Sequence, residues 1–146
     1  RAGTQNVPLI VGLAHALEIA RAERQARHDR LTPLRDHIIG NILEEFPAAR
    51  LTGHPKDRLP NHASFVFQNV DGNLLLTQLD MMGFACSSGS ACKVGTPKPS
   101  DILLATGIDQ QWALGSLRIT LGKDTTTEEV DSFLQALPTA VKKSRT

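Results

Sequence analysis

An α/β (α+β) fold is predicted for this chain, with a small, mostly antiparallel sheet backed by helices and a long helix ahead of it. Three observations carry the prediction. Apolar residues recur at helical spacing through residues 8–46, two short segments alternate like half-buried strands, and glycine or capping signals punctuate the rest. In the long segment, Pro8 suits the first helical position, where its missing N–H costs nothing. Leu9, Ile10, Leu13, Leu17 and Ala20 keep a helical period opposite Glu18, Arg21 and Arg24, and Leu34, Ile38, Ile42 and Phe46 resume it. Thr32-Pro33 interrupts the pattern, so either the helix kinks there or Thr32 caps a second one. Pro47 ends the segment.

Residues 63–70 alternate as a strand with Phe65 and Phe67 on one face. Asp71-Gly72 turns the chain into a short helix over 73–82, closed by Gly83. Residues 84–86 read as a short strand, and 87–99 as a Gly-, Ser- and Pro-rich loop. Ser100 is placed to cap a helix over 101–105 that Gly107 stops. Leu117, Ile119 and Leu121 mark a strand over 116–121. Overlapping capping boxes at 125–129 start a last helix through Val130, Phe133, Leu134 and Leu137, which Pro138 is expected to bend or end.

The 146 residues are one ordinary domain in length, and 40% hydrophobic with 21% charged describes a soluble, globular chain. A net charge of +1 leaves no basic footprint for nucleic acid. The longest apolar runs are far short of a membrane span. The first residues lack the features of a signal peptide and read as the interior of a longer protein. Two cysteines do not make a disulfide framework, and reduced thiols in a cytoplasmic protein are expected.

The densest chemical signal is Cys86-Ser87-Ser88-Gly89-Ser90-Ala91-Cys92. Its small residues have almost no packing capacity, so the segment reads as a mobile surface loop that exposes Cys92. Lys93 is placed to lower the pKa of that thiol. Cys86 ends a short apolar segment and reads as a small buried residue. No metal site is predicted, because the two cysteines lack a second pair and His54 and His62 lack finger spacing. Arg118 sits between apolar Leu117 and Ile119, where a fixed guanidinium suits a carboxylate. On the residues alone, a strand-edge arginine facing water is the stronger reading. Gly3-Thr4 is a weaker candidate, a turn with a hydroxyl of the kind that binds phosphate. His15, His28 and His37 are expected on solvated helix faces.

Together these segments resemble the cysteine desulfurases with a long cysteine loop. Ser87-Ser88-Gly89-Ser90-Ala91-Cys92 is similar to their active-site motif, and Arg1-Ala2-Gly3-Thr4-Gln5-Asn6-Val7 to their turn near the end of the large domain. Leu59-Pro60-Asn61, Lys98-Pro99-Ser100-Asp101-Ile102-Leu103, Ser116-Leu117-Arg118-Ile119-Thr120-Leu121-Gly122 and Thr126-Thr127-Glu128-Glu129-Val130 match further blocks in order. The similarity runs over essentially the whole chain.

The resemblance implies a homodimeric enzyme that uses pyridoxal 5′-phosphate, of the large fold class that includes many aminotransferases. It implies conversion of L-cysteine to L-alanine, with a persulfide left on the enzyme for sulfur-acceptor or iron–sulfur scaffold proteins. Cys92 becomes the nucleophile, Arg118 the ligand of the substrate carboxylate, and Gly3 and Thr4 the turn reaching the cofactor phosphate of the neighbouring subunit. Residues 1–46 become the end of the large domain with its connecting helix, and 47–146 the small C-terminal domain. The family's cofactor lysine follows a histidine upstream of the glycine-threonine turn, and none of Lys56, Lys93, Lys98, Lys123, Lys142 or Lys143 has that context. The chain then corresponds to roughly the last third of such an enzyme and is expected to be inactive alone. Two other readings remain: a docking module for sulfur-acceptor proteins, and a rhodanese-type sulfurtransferase, in whose chemistry Arg118 and Gly3-Thr4 have no role.

Overall fold

The computed structural model describes residues 3–88 and 99–146. It contains helix α1 (Val7–Glu45), strands β1 (Ala49–Leu51) and β2 (His62–Phe67), helices α2 (Gly72–Met81), α3 (Asp101–Ala105) and α4 (Gln110–Leu114), strand β3 (Ser116–Thr120) and helix α5 (Thr127–Lys143). The sheet is antiparallel in the order β1-β2-β3.

Thr32-Pro33 neither breaks α1 nor starts a second helix. Helix α1 runs through Pro33, and the Thr32 hydroxyl, instead of capping a new N-terminus, is buried without a hydrogen-bond partner among the described residues. Burial on both sides of the proline carries the helix across: Leu31, Arg35, Ile38 and Ile42 recur on one face and seat against the sheet and α5. The first half of α1 is different, since every residue from Gly3 to Ala26 is exposed. Leu9 is 70% exposed and Leu13 and Leu17 are each 63% exposed, so a regular apolar stripe faces outward. His37, expected on a solvated face, is exposed but shares a 2.9 Å hydrogen bond with Asp131, tying α1 to α5.

Alternation in β2 and β3 divides the sheet into two faces. Ala63, Phe65, Phe67, Leu117 and Ile119 enter the main core with Ile38, Ile42, Leu75, Leu79, Phe133 and Leu137 from α1, α2 and α5. The opposite face is covered in part as well. Val66 is fully buried there, because α4 packs on β2 and brings in Trp112 and Ala113. Arg50 of β1 stacks on the Trp112 ring, 3.8 Å from its centroid.

The other turn signals are realised with corrections. Asp71 caps α2 through hydrogen bonds from Asn73 and Leu74, and Gly83 follows in the left-handed region with φ of 89°. Thr126 and Glu129 form the reciprocal capping box of α5. Pro138 does not end α5, which continues to Lys143, because Ala140 and Val141 beyond it are buried in the core. Residues 84–86 form no strand; Ser87 pairs instead, in a single bridge to Arg118. Ser100 does precede α3, but its side chain makes no capping bond.

Candidate active site

Strand register sets the site. Pairing of Ser64 with Arg118 and of His62 with Thr120 puts His62, Ser64 and Arg118 on the sheet face away from the main core. A cavity of about 400 Å³ opens over that face. Its walls are the residue 52–62 segment between β1 and β2, the start of α3 at Ser100, Ile102 and Leu103, and β3 at Ser116 to Arg118.

The 52–62 wall is held by hydrogen bonds, since it is mostly irregular. Thr52 N–H and its hydroxyl both donate to the Ser64 carbonyl, at 2.8 and 3.1 Å. His54 Nδ1 accepts from the N–H groups of Lys56 and Asp57 at 3.2 and 2.8 Å, which leaves its proton on Nε2. From α1, buried Arg35 donates through Nη1 to the Leu59 carbonyl at 3.0 Å. Asn61 closes the segment on the other side, accepting at its carbonyl from Leu121 N–H and donating through Nδ2 to the Leu121 carbonyl.

The electrostatics of the cavity are cationic. Arg58 and Arg118 both line it, and so does His62. Burial lowers the pKa of His62, and repulsion from Arg58 and then Arg118 lowers it further, which favours the neutral imidazole. Asp57 is the acidic side chain among the described lining residues, and it is 90% exposed at the rim. Two guanidiniums beside a neutral imidazole favour an anion, and the apolar Leu103 and Leu117 limit its size.

The sequence-predicted residues are distributed unevenly. Arg118 lines the cavity and is half-buried. Cys92 lies outside the described residues, as does most of the predicted 87–99 loop. The ends that flank it are described and both belong to this site. Ser87 N–H donates to the Arg118 carbonyl at 3.1 Å while Arg118 N–H donates to the Ser87 carbonyl at 2.6 Å, and buried Ser100 lines the cavity. Cys86, expected to be buried, is half-buried at the edge of the core, and desolvation pushes its thiol up to about 11.

Gly3 and Thr4 are not brought to this cavity. They are exposed beyond the N-terminus of α1, a 39-residue helix about 58 Å long. Gly3 has φ of 127° and open space where a Cβ would stand, so the turn encloses nothing among the described residues. Among the described residues no lysine lines the cavity. The described lining therefore supplies no amine to bond the aldehyde of pyridoxal phosphate.

Sequence reasoning missed Arg58 and His62 as site residues. The available signal was the adjacency of Arg58 to the Leu59-Pro60-Asn61 block. Only the register of β2 on β3, however, puts that block over Arg118.

Comparison with known proteins agrees with this architecture. The aminotransferase class-V profile matches residues 1–133. The chain is 41% identical over 145 residues to cysteine desulfurase IscS 1 of Archaeoglobus fulgidus, covering 99% of this chain and 38% of that protein. It is 42% identical over 145 residues to cysteine desulfurase IscS of Methanosarcina thermophila, covering 99% and 36%. The chain thus spans little more than a third of the length of these relatives. A solved NifS-like protein superposes with a TM-score of 0.81 at 33% identity, over 97% of this chain and 35% of the other. A NifS-like protein from Rickettsia africae shares the fold, with a TM-score of 0.82 at 23% identity over 97% and 36%. With a profile match across most of its length and a small antiparallel sheet backed by helices, this chain belongs to the aminotransferase class-V family.

Proposed function

We propose that the chain is the C-terminal part of a cysteine desulfurase that converts L-cysteine to L-alanine and leaves a persulfide on Cys92. The observation that carries this reading is the joining of two motifs at one cavity. The segment bearing Cys92 is bonded at Ser87 to the backbone of Arg118, and its other flank, Ser100, lines the same cavity. The names of the relatives support it independently.

In this reading Arg118 binds the carboxylate of L-cysteine through two parallel hydrogen bonds and fixes which way its side chain points. The Cys92 thiolate attacks the substrate sulfur. The new S–S bond forms as the substrate C–S bond breaks, and the electron pair left on carbon takes a proton to give L-alanine. Pyridoxal phosphate, held by the remainder of the protein, supplies the electron sink that carbon needs. Gly3 and Thr4 serve the cofactor phosphate of the partner subunit in a homodimer, and residues 47–146 form the small domain behind the connecting helix. Sulfur then passes to acceptor or iron–sulfur scaffold proteins in the cytoplasm. The 146-residue chain alone is inactive.

The test is made on the full-length protein loaded with pyridoxal phosphate. L-cysteine should yield sulfide under reducing conditions, and Cys92→Ser should abolish that release while L-alanine still binds. Sulfide release by Cys92→Ser at the wild-type rate would overturn the reading.

A further inference from the structure

Arg58 is a charged side chain of the cavity wall whose hydrogen bonding is incomplete among the described residues. Its Nε and Nη2 donate to the His54 carbonyl at 2.9 and 2.8 Å, and Nη2 donates again to the Thr52 carbonyl at 2.8 Å. Those bonds fix the plane of the guanidinium. Nη1, with two N–H groups, is buried and has no hydrogen-bond partner among the described residues. A charged donor sealed from water without an acceptor loses hydration and gains nothing for it. The charged groups nearby do not relieve this. Arg35 approaches with like charge, and the Asp36 carboxylate is already engaged by Arg35 Nε and Nη2 at 2.9 and 2.7 Å.

The fold nevertheless keeps Arg58 in place. Arg35 holds Leu59 next to it, Thr52 is bonded to Ser64, and Ser64 pairs with Arg118 in the sheet. Arg58 and Arg118 therefore face one cavity from two walls, the first from the 52–62 segment and the second from β3. On that wall, Nη1 of Arg58 is the guanidinium nitrogen left without an acceptor among the described residues.

We propose that Arg58 is a second substrate-binding guanidinium, sharing with Arg118 the carboxylate of an α-amino acid. This deepens the reading of the cavity as an amino-acid site and rests on it, but it is independent of any sulfur chemistry. Two guanidiniums around one carboxylate make the site selective for a free acid over its amide. Arg58 is also preorganised by its own backbone bonds, so little side-chain freedom is lost on binding.

The experiment is calorimetric titration of the full-length holoenzyme with L-alanine and with L-alaninamide, which keeps the amine and the shape but lacks the carboxylate. Wild type should prefer L-alanine. Arg58→Gln should weaken L-alanine about ten- to a hundred-fold, the size of a lost charged hydrogen bond, and leave L-alaninamide unchanged. Arg58→Lys, which keeps charge but not the fork, should recover part of the L-alanine affinity. Unchanged L-alanine binding in Arg58→Gln overturns the proposal, as does equal weakening of both ligands in a variant that melts like wild type. If Arg58→Gln fails to fold, Arg58→Lys decides: selective loss of L-alanine supports the role, and equal loss refutes it. Failure of the desulfurase reading appears separately, as a wild-type enzyme that releases no sulfide from L-cysteine yet discriminates L-alanine from its amide through Arg58.

Discussion

Gly115 lies backbone to backbone against Phe67. The Phe67 N–H donates to the Gly115 carbonyl at 2.9 Å, and a Cβ on Gly115 would overlap the Phe67 carbonyl oxygen. With φ at −88°, Gly115 is required for space and not for an unusual backbone angle. Gly72 meets the same corner, where an added Cβ would stand 2.7 Å from the Leu114 carbonyl oxygen. The two glycines let the turn from α4 into β3 seat on the end of β2, which sets the register opposing Arg118 to Ser64. Gly115→Ala should therefore cost about 1–3 kcal/mol, the usual penalty for overpacking, read as a lowered urea midpoint. An unchanged midpoint would show that the corner yields.

Cys86 offers a pH test. Its thiol is held at about 11 by burial, above the ordinary 9.0, so the folded chain keeps a proton that the unfolded chain releases first. The associated stability is fully present below about pH 9 and is lost as pH rises toward 11. A two-unit shift bounds it at about 3 kcal/mol. The difference in stability between wild type and Cys86→Ala should shrink over that window and stay flat below it. At pH 7.5, iodoacetamide should leave Cys86 unlabelled in the folded protein while it labels Cys92. Faster labelling of Cys86 would reverse the assignment of the reactive thiol.

Replacing Arg118 should act on binding before chemistry. Arg118→Ala in the full-length enzyme removes the fork proposed for the substrate carboxylate, and KM for L-cysteine should rise about ten- to a hundred-fold. Because Arg118 N–H and carbonyl also bond Ser87 through the backbone, that bridge survives the substitution. A kcat that falls with KM unchanged would show that the guanidinium does not hold ground-state substrate.

The exposed stripe on the first half of α1 predicts the behaviour of the isolated chain. Leu9, Leu13 and Leu17 recur on one side of the helix, all exposed, among further exposed apolar residues at Val7, Ile10 and Val11. The 146-residue chain should self-associate, with sedimentation velocity showing species heavier than a monomer. Leu13→Glu with Leu17→Glu should return it to a monomer. A monomeric wild-type chain at high concentration would mean that the stripe does not drive association.

Thr126 tests the capping box. Its hydroxyl accepts from Glu129 N–H at 3.2 Å and the Glu129 carboxylate accepts from Thr126 N–H at 2.9 Å. Thr126→Ala should cost about 1 kcal/mol, measurable by chemical denaturation, and Thr126→Ser should recover most of it.

The features legible from the residues were those that local physics enforces. Helix α1 followed from a 3.6-residue apolar period, strands β2 and β3 from alternation, α2 from the Asp71-Gly72 turn and the Gly83 stop, and α5 from its capping boxes. Arg118 stood out because apolar neighbours framed it, and the Cys86–Cys92 segment because its composition cannot pack a core. Strand β1 and helix α4 were missed because three and five residues are too few to display a period. Pro138 misled because its local cost is real, but the buried Ala140 and Val141 beyond it offset that cost.

The sequence by itself determined the class of the fold, the long helix, and the two motifs from which the chemistry was inferred. Only the tertiary structure decided that the flanks of the cysteine segment and the Arg118 strand meet. Register between β2 and β3 is a long-range choice, made by matching Phe65 with Leu117 in a shared core and by the tight fit of Gly115 on Phe67. That choice turns Ser64 and Arg118 to the opposite face, draws the 52–62 segment over them, and leaves Arg58 Nη1 buried without a hydrogen-bond partner among the described residues. A local pattern cannot encode such a convergence, because residues 58, 100 and 118 line one cavity, and Ser87 pairs with Arg118, only after the core between the helices and the sheet has closed.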